Sequence, residues 1–320
     1  MSVVHGRANR MSTRSTARLL LATVVPVFAV AWLITHWAAV DTATDQLGGA
    51  TRGWLLGAVA VAAMTWIAGA VCQQGAVVEP LPGGRLLAVQ FAGSAANHVL
   101  PAGIGVATVN LRFLRRTGLS SSSALNAVGL NTCAGITVHL LVLAGLILAG
   151  FAVPRAVIGT GAVGLIVAGV AGAALLLLAF VPTWRRRYTK VIWAQVHSAA
   201  VQWAVIGRRP ARTVQLCLGS AAVPVLHATT LAFVAQALHA PIGVGPIFGI
   251  YFLASAVSAA VPSPGGFGAL DAALIVALSA GGLGTATAVA AVVAYRLITV
   301  WIPLLPSACV LSVLYHRGVI

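Results

Sequence analysis

Residues 86–111 read LLAVQFAGSAANHVLPAGIGVATVNL. The interval is uncharged and long enough to span a bilayer, which takes roughly 20 apolar residues. Its middle argues against a single crossing. Gln90, Ser94, Asn97 and His98 lead into Pro101, Gly103 and Gly105, a break where a spanning helix should be continuous. One crossing would also put Arg112, Arg115 and Arg116 on the outer side, against the rule that Lys and Arg gather in cytoplasmic loops. The reading that keeps them cytoplasmic is a re-entrant segment, a broken helix that enters and leaves by the same face. Such irregular backbone is tolerated at membrane depth only where protein or water satisfies its polar groups.

The rest of the chain has the same character. Of 320 residues, 60% are hydrophobic and 7% charged, whereas a soluble domain carries about 25% charged residues. The mean hydropathy is +1.00, and the abundant glycine suits helices that approach closely in lipid. Uncharged intervals place spans at 19–40, within 53–78, within 117–154, at 156–183, at about 214–238 and at about 247–261. A short helix near Asp271, a break at Gly281 and Gly282, and a last apolar run to Tyr315, interrupted by Arg296, Pro303 and Pro306, complete the pattern. The fold class is therefore all-α, a polytopic transmembrane bundle of about seven or eight helices that cross or dip into the bilayer.

Organisation follows from the charges. Residues 1–18 form a basic cytoplasmic tail, because Arg7, Arg10, Arg14 and Arg18 precede the first span while Asp41 and Asp45 follow it. Residues 19–315 form one transmembrane domain, and 316–320 a short tail. Pseudo-repeat halves of about 19–182 and 213–315 are joined by the basic segment 183–212, which reads as an amphipathic interfacial helix. The run 19–40 is long enough to span and is followed by many like it, so a cleaved signal peptide is not expected.

The formal charge of +15 sits in short flanks between apolar runs, without the aromatic and basic surface that stacks bases, so nucleic acid is not an expected partner. Anionic lipid headgroups are. Cys72, Cys133, Cys217 and Cys309 lie far apart in apolar runs and have no metal-ligand spacing. There is no HExxH, no nucleotide-binding Walker signature and no nucleophile with a base. The expectation is no metal, no cofactor, no catalytic residue and no ATP-driven transport by this chain alone. In the third span Asn131, Gly135 and His139 recur on one helical face. His139 and His227 read as hydrogen-bonding across helices.

A second break, PSPGGFGALD, holds Pro262, Pro264, Gly265, Gly266, Gly268 and Asp271. Glycines there permit a sharp turn and leave amides open to a phosphate, or serve packing alone. Asp271 is the one acid after Glu79, and Arg296, beside Tyr295 and before Trp301, is the one charge between Asp271 and Arg317. Isolated charges within a membrane line cavities or pair with one another. An Asp271–Arg296 pair is expected, as a functional polar site or as a structural ion pair. Paired broken segments in two halves point to a transport site between them. Asn97, His98, Arg112, Tyr295, Arg296 and Trp301 join the glycines and prolines as candidate substrate contacts. For Arg112 the alternative is a topology anchor, and for Asn97 and His98 a structural partner.

The two breaks resemble those of the lysylphosphatidylglycerol synthase transmembrane region, the flippase-like membrane family. The resemblance covers about 24–315 and rests on LPAGIGVATVNLRFLRRTG, PSPGGFGALD and YRLITVWIP. It puts Pro101, Gly103 and Gly105 in the first family motif and Pro262, Pro264, Gly265, Gly266 and Gly268 in the second. Asp271 takes the place of the usual Glu, and Tyr295, Arg296, Trp301 and Pro303 match the final element. Ala102, Ala107 and Asn110 depart from the family's Gly, acidic residue and Arg. The resemblance implies movement of an anionic phospholipid, an aminoacyl-phospholipid or a related lipid between leaflets of the cell membrane. Bifunctional relatives carry a soluble aminoacyl-transferase domain that is not in this sequence, so lipid aminoacylation is not expected. The competing readings are a scaffold or accessory subunit for a lipid or cell-envelope enzyme, an intramembrane enzyme and a small-solute transporter. The expected partners are membrane lipids, with a homo-oligomer or a cell-envelope enzyme as further candidates.

Overall fold

The computed structural model describes residues 41, 46, 48–99, 104–151, 201–259 and 268–320. The expected spans at 19–40 and 156–183, the basic tail and most of 183–212 lie outside the described residues, as do Pro101, Gly103, Pro262, Pro264, Gly265 and Gly266. The described residues hold helices and turns and no strand. We number the helices α1 (Arg52–Gly75), α2 (Gly83–Val99), α3 (Ile104–Arg116), α4 (Ser121–Leu148), α5 (Pro210–Ala237), α6 (Val244–Ala259), α7 (Ala269–Ala280), α8 (Thr285–Arg296) and α9 (Ile302–His316).

Local signals explain the ends. Ser120 caps α4 by accepting from the Ser123 amide at 3.1 Å, so an orphan donor of the first turn is satisfied. Pro210 opens α5 at a position where a missing N–H costs nothing. Gly268, with φ of 81°, turns the chain into α7 in a conformation that side chains with a Cβ avoid.

The expected interruption of the last apolar run is not a break. From Thr285 to His316 the chain is one helical rod of 32 residues. It absorbs its irregularity in a π-helical turn over Leu297–Trp301, directly after Arg296. Pro303 falls at the start of the following α-helical stretch, where a missing amide is easily accommodated, and Pro306 lies within it.

The helices fall into two sets with the same order: a long helix, two short helices, a long helix. The first set is α1, α2 with α3, and α4; the second is α5, α6 with α7, and the α8–α9 rod. Arg52–Gly75, Ser121–Leu148, Pro210–Ala237 and Thr285–His316 are apolar and long enough to cross a membrane. The short helices, of 17, 13, 16 and 12 residues, rise at most about 25 Å at ~1.5 Å per residue. That falls short of a hydrocarbon core of about 30 Å.

The sets run in opposite directions. The Thr51 amide donates to Ala237 O at 3.0 Å, so α1 starts where α5 ends. At the other end Gly75 lies against Leu216, and Gly219 against Cys72. A Cβ on Gly75 would come within 2.3 Å of the Leu216 amide nitrogen, so the pairing depends on residues without side chains.

Each pair of short helices is a hairpin. Gln90 donates to Asn110 at 2.8 Å, Gly93 abuts Val106, and Gly105 abuts Ala96, which makes α2 and α3 antiparallel. In the second hairpin Gly281, just past α7, lies against Ile250 in the first half of α6. The first hairpin opens at the α1 terminus marked by Gly75, and the second at the α5 terminus marked by Ala237, so the two enter the bundle from opposite ends.

The surface fits a lipid environment. Leu148, Leu305, Leu56 and Leu141 are exposed on the long helices, where a soluble protein would place charge. Arg85, Arg112, Arg115, Arg116, Arg208, Arg209, Arg212 and Arg317 all belong to the end where the first hairpin opens, and Arg52 to the other. The chain is a multi-pass membrane protein.

Candidate functional site

The polar interior is assembled along the last rod. Its first half, α8, packs on α7 of the second hairpin, and its second half, α9, on α2 of the first. Leu314 and Ile320 share a buried cluster with Leu81, Leu86 and Val89 at the hairpin's open end. Arg296 sits at the junction, about 16 Å along the rod from Thr285 at ~1.5 Å per residue.

Arg296 donates through Nε to Oδ1 of Asp271, and both side chains are buried. The second carboxylate oxygen accepts from the Gly268 amide at 3.0 Å. Asp271 therefore satisfies the free start of α7 and the arginine together, on the side of the helix dipole that favours negative charge.

Neighbouring elements close on this pair. Tyr295 is hydrogen-bonded through its hydroxyl to Nδ1 of His227 on α5 at 3.0 Å. Tyr251 of α6 stacks on His227 with ring centroids 6.1 Å apart and meets Tyr295 edge-on at 6.2 Å. His98, at the tip of the first hairpin, lies close enough to Arg296 to feel its charge, and so does His227. The end of α2 and the start of α7 thus approach one point from opposite ends of the bundle.

Of the expected contacts, the structure brings together His98, Asp271, Tyr295 and Arg296, with Gly268 as an amide donor. Asn97 serves the hairpin itself, its Oδ1 accepting from the Val106 amide at 2.9 Å. Gly105 serves close packing, since a Cβ there would meet the Ala96 carbonyl at 2.3 Å. Trp301 closes the π-helical turn after Arg296. Arg112 is exposed on α3, about 12 Å from Ile104 along the helix at ~1.5 Å per residue. It is not brought to the pair.

One family model matches this chain over nearly its whole length. The profile of the lysylphosphatidylglycerol synthase TM region fits residues 16–307. The chain belongs to this family. The match takes in both hairpins, the Asp271–Arg296 pair and the π-helical turn, so the geometry described here is that of the family's membrane region in this chain. Comparison with curated proteins finds no match.

Sequence reasoning left His227 outside the site and did not single out Tyr251. The signal for His227 was a lone histidine in an apolar helix, but nothing local indicates that it faces Tyr295, 68 positions away. The amide network of the first set is also tertiary. Asn131 donates to Gln73 at 2.8 Å and accepts from the Cys72 thiol at 3.0 Å, which in turn meets Ser220 at 3.2 Å. These bonds tie α1, α4 and α5 together. His139, on the same face of α4, bonds Phe252 O at 3.1 Å.

A separate cavity of about 690 Å³ lies where the first hairpin opens, lined by Glu79, Thr117, Ser120, Asn126 and Gln202 among others. None of its lining residues belongs to the Asp271–Arg296 cluster. It is a feature of the basic end of the bundle.

Proposed function

We propose that the chain moves a phospholipid between leaflets: an anionic phospholipid, an aminoacyl-phospholipid or a related lipid. The reading is supported by one observation, the approach of the end of α2 and the start of α7 to a buried ion pair partway along a membrane-length rod. Hydrocarbon excludes a headgroup because its charges lose their solvation, and polar groups at that depth lower the barrier. Acyl chains stay in lipid while the headgroup passes between the tips. Opposed sets of helices with broken segments at their interface are the arrangement from which alternating access follows by rocking one set on the other.

The activity is transport rather than chemistry on the lipid. The basic end, with Arg85, Arg115, Arg116, Arg208, Arg209 and Arg317, is assigned to the cytoplasm of the cell membrane, where cationic loops are retained. With residues 19–40 read as one span, this assignment has the N-terminus on the same side. Anionic lipid collects at that rim.

The test is leaflet exchange of acyl-labelled phospholipids in vesicles containing the purified chain. The informative variant removes both charges together, Asp271→Asn with Arg296→Gln, because no lone charge is then left buried. Exchange in the wild type and its loss in a folded double variant are expected. No exchange of any phospholipid by the wild type overturns the reading, and stable copurification of an envelope enzyme would then favour an accessory role.

A further inference from the structure

We infer that the buried pair selects a phospholipid headgroup carrying one phosphate and one ammonium group, with no net charge. The inference rests on the translocase reading and narrows its substrate class.

Among the described residues, Asp271 and Arg296 are the only Asp, Glu, Lys or Arg side chains that are buried. They are paired with each other, so this described interior carries no net charge from them. The first hairpin adds none, because its buried polar pair, Gln90 with Asn110, is neutral.

Consider an anionic headgroup reaching Arg296. It competes with Asp271 for the guanidinium, and an anion that takes the Nε donor from Oδ1 leaves the carboxylate in a low-dielectric interior without its cation. Stranding one member of a buried pair costs far more than the pair itself contributes. An anion would also leave the interior with a net negative charge.

A headgroup with both signs avoids this. Its phosphate replaces Asp271 on the guanidinium, which presents a planar fork of donors suited to phosphate oxygens. Its ammonium replaces Arg296 on the carboxylate. One buried pair becomes two, and no charge is stranded. Asp271 is held for this exchange, since Oδ2 remains bonded to the Gly268 amide at 3.0 Å while Oδ1 changes partner.

The exposed arginines do not contradict this. Arg115, Arg116, Arg208 and Arg209 lie at the surface, where they raise the local concentration of anionic lipid through a screened, long-range field. Enrichment at the rim and selection in the interior are separate steps.

The experiment compares two acyl-labelled probes, one of the phosphatidylethanolamine type and one of the phosphatidylglycerol type, in choline-lipid vesicles containing the full chain. Exchange is read by loss of label to a membrane-impermeant quencher. The zwitterionic probe should exchange at least about tenfold faster, reflecting the cost of stranding Asp271. Asp271→Asn should erase or invert that ratio, because Arg296 is then the cation awaiting an anion. Equal or faster exchange of the glycerol probe by the wild type overturns the inference while leaving the translocase reading intact. A proportional loss of both probes in folded Asp271→Asn protein also overturns it. Exchange of neither probe by the wild type sinks the translocase reading and this one with it. The wild-type ratio needs no variant, so a misfolded Asp271→Asn does not remove the test.

Discussion

Arg296 and Asp271, 25 positions apart, form a buried ion pair between the first half of the last membrane-length rod and the first turn of a short helix. Neither residue has another Asp, Glu, Lys or Arg buried among the described residues to take its partner's place. Each single neutralisation, Asp271→Asn or Arg296→Gln, should therefore destabilise the folded protein by about 3–5 kcal/mol. The double variant should cost clearly less than the sum of the two. Thermal or denaturant unfolding in detergent, analysed as a double-mutant cycle, checks this. Additive losses would mean the pair does not interact.

The first hairpin depends on Gly105. A Cβ there meets the carbonyl carbon and oxygen of Ala96 at 2.3 Å and the Asn97 amide at 2.4 Å, and all three are backbone atoms that cannot swing aside. Gly105→Val should cost about 3 kcal/mol or more, at the upper end of overpacking effects. Gly83→Val, at a position with open space around it, should change the melting temperature little. Equal stability of the two variants would show that α2 and α3 do not touch as described.

Gln90 and Asn110 are both buried and bonded to each other at 2.8 Å. Gln90→Leu leaves the Asn110 amide buried without that partner, which should cost about 1–3 kcal/mol. Adding Asn110→Leu should recover much of the loss, because both polar groups are then gone. A melting series on the two singles and the double decides it.

Opposed hairpins predict opposed accessibility. In a background with Cys72, Cys133, Cys217 and Cys309 replaced, Ser120→Cys and Gly284→Cys should label from opposite sides of sealed vesicles with a membrane-impermeant maleimide. Labelling of both from one side would require the two hairpins to enter from the same face.

Tyr295→Phe removes the hydrogen bond to His227 and keeps the edge-on ring contact with Tyr251. A loss of about 0.5–1.5 kcal/mol in unfolding free energy is expected. A larger loss would mean the hydroxyl has a second partner.

What the sequence alone determined was whatever depends on the solvent and on local backbone chemistry. An interior of lipid demands long uncharged runs, so the helices at Arg52–Gly75, Ser121–Leu148 and Pro210–Ala237 were legible from charge spacing. Prolines and glycines that cannot continue a helix marked both hairpins, and the position of Arg112, Arg115 and Arg116 showed that the first one returns to its own side. The Asp271–Arg296 pair was legible because lone charges in hydrocarbon have few partners to choose from.

Tertiary structure decided the rest. Continuity of the rod through Pro303 and Pro306 depends on a π-helical turn that no residue pattern announces. Only packing shows that Gly75 and Gly219 join α1 to α5, that His227 and Tyr251 surround Tyr295, and that Arg112 stays exposed on α3. Contacts between distant segments depend on which helix faces meet, and in an almost uniformly apolar chain the faces differ too little in hydrophobicity for a linear reading to tell them apart.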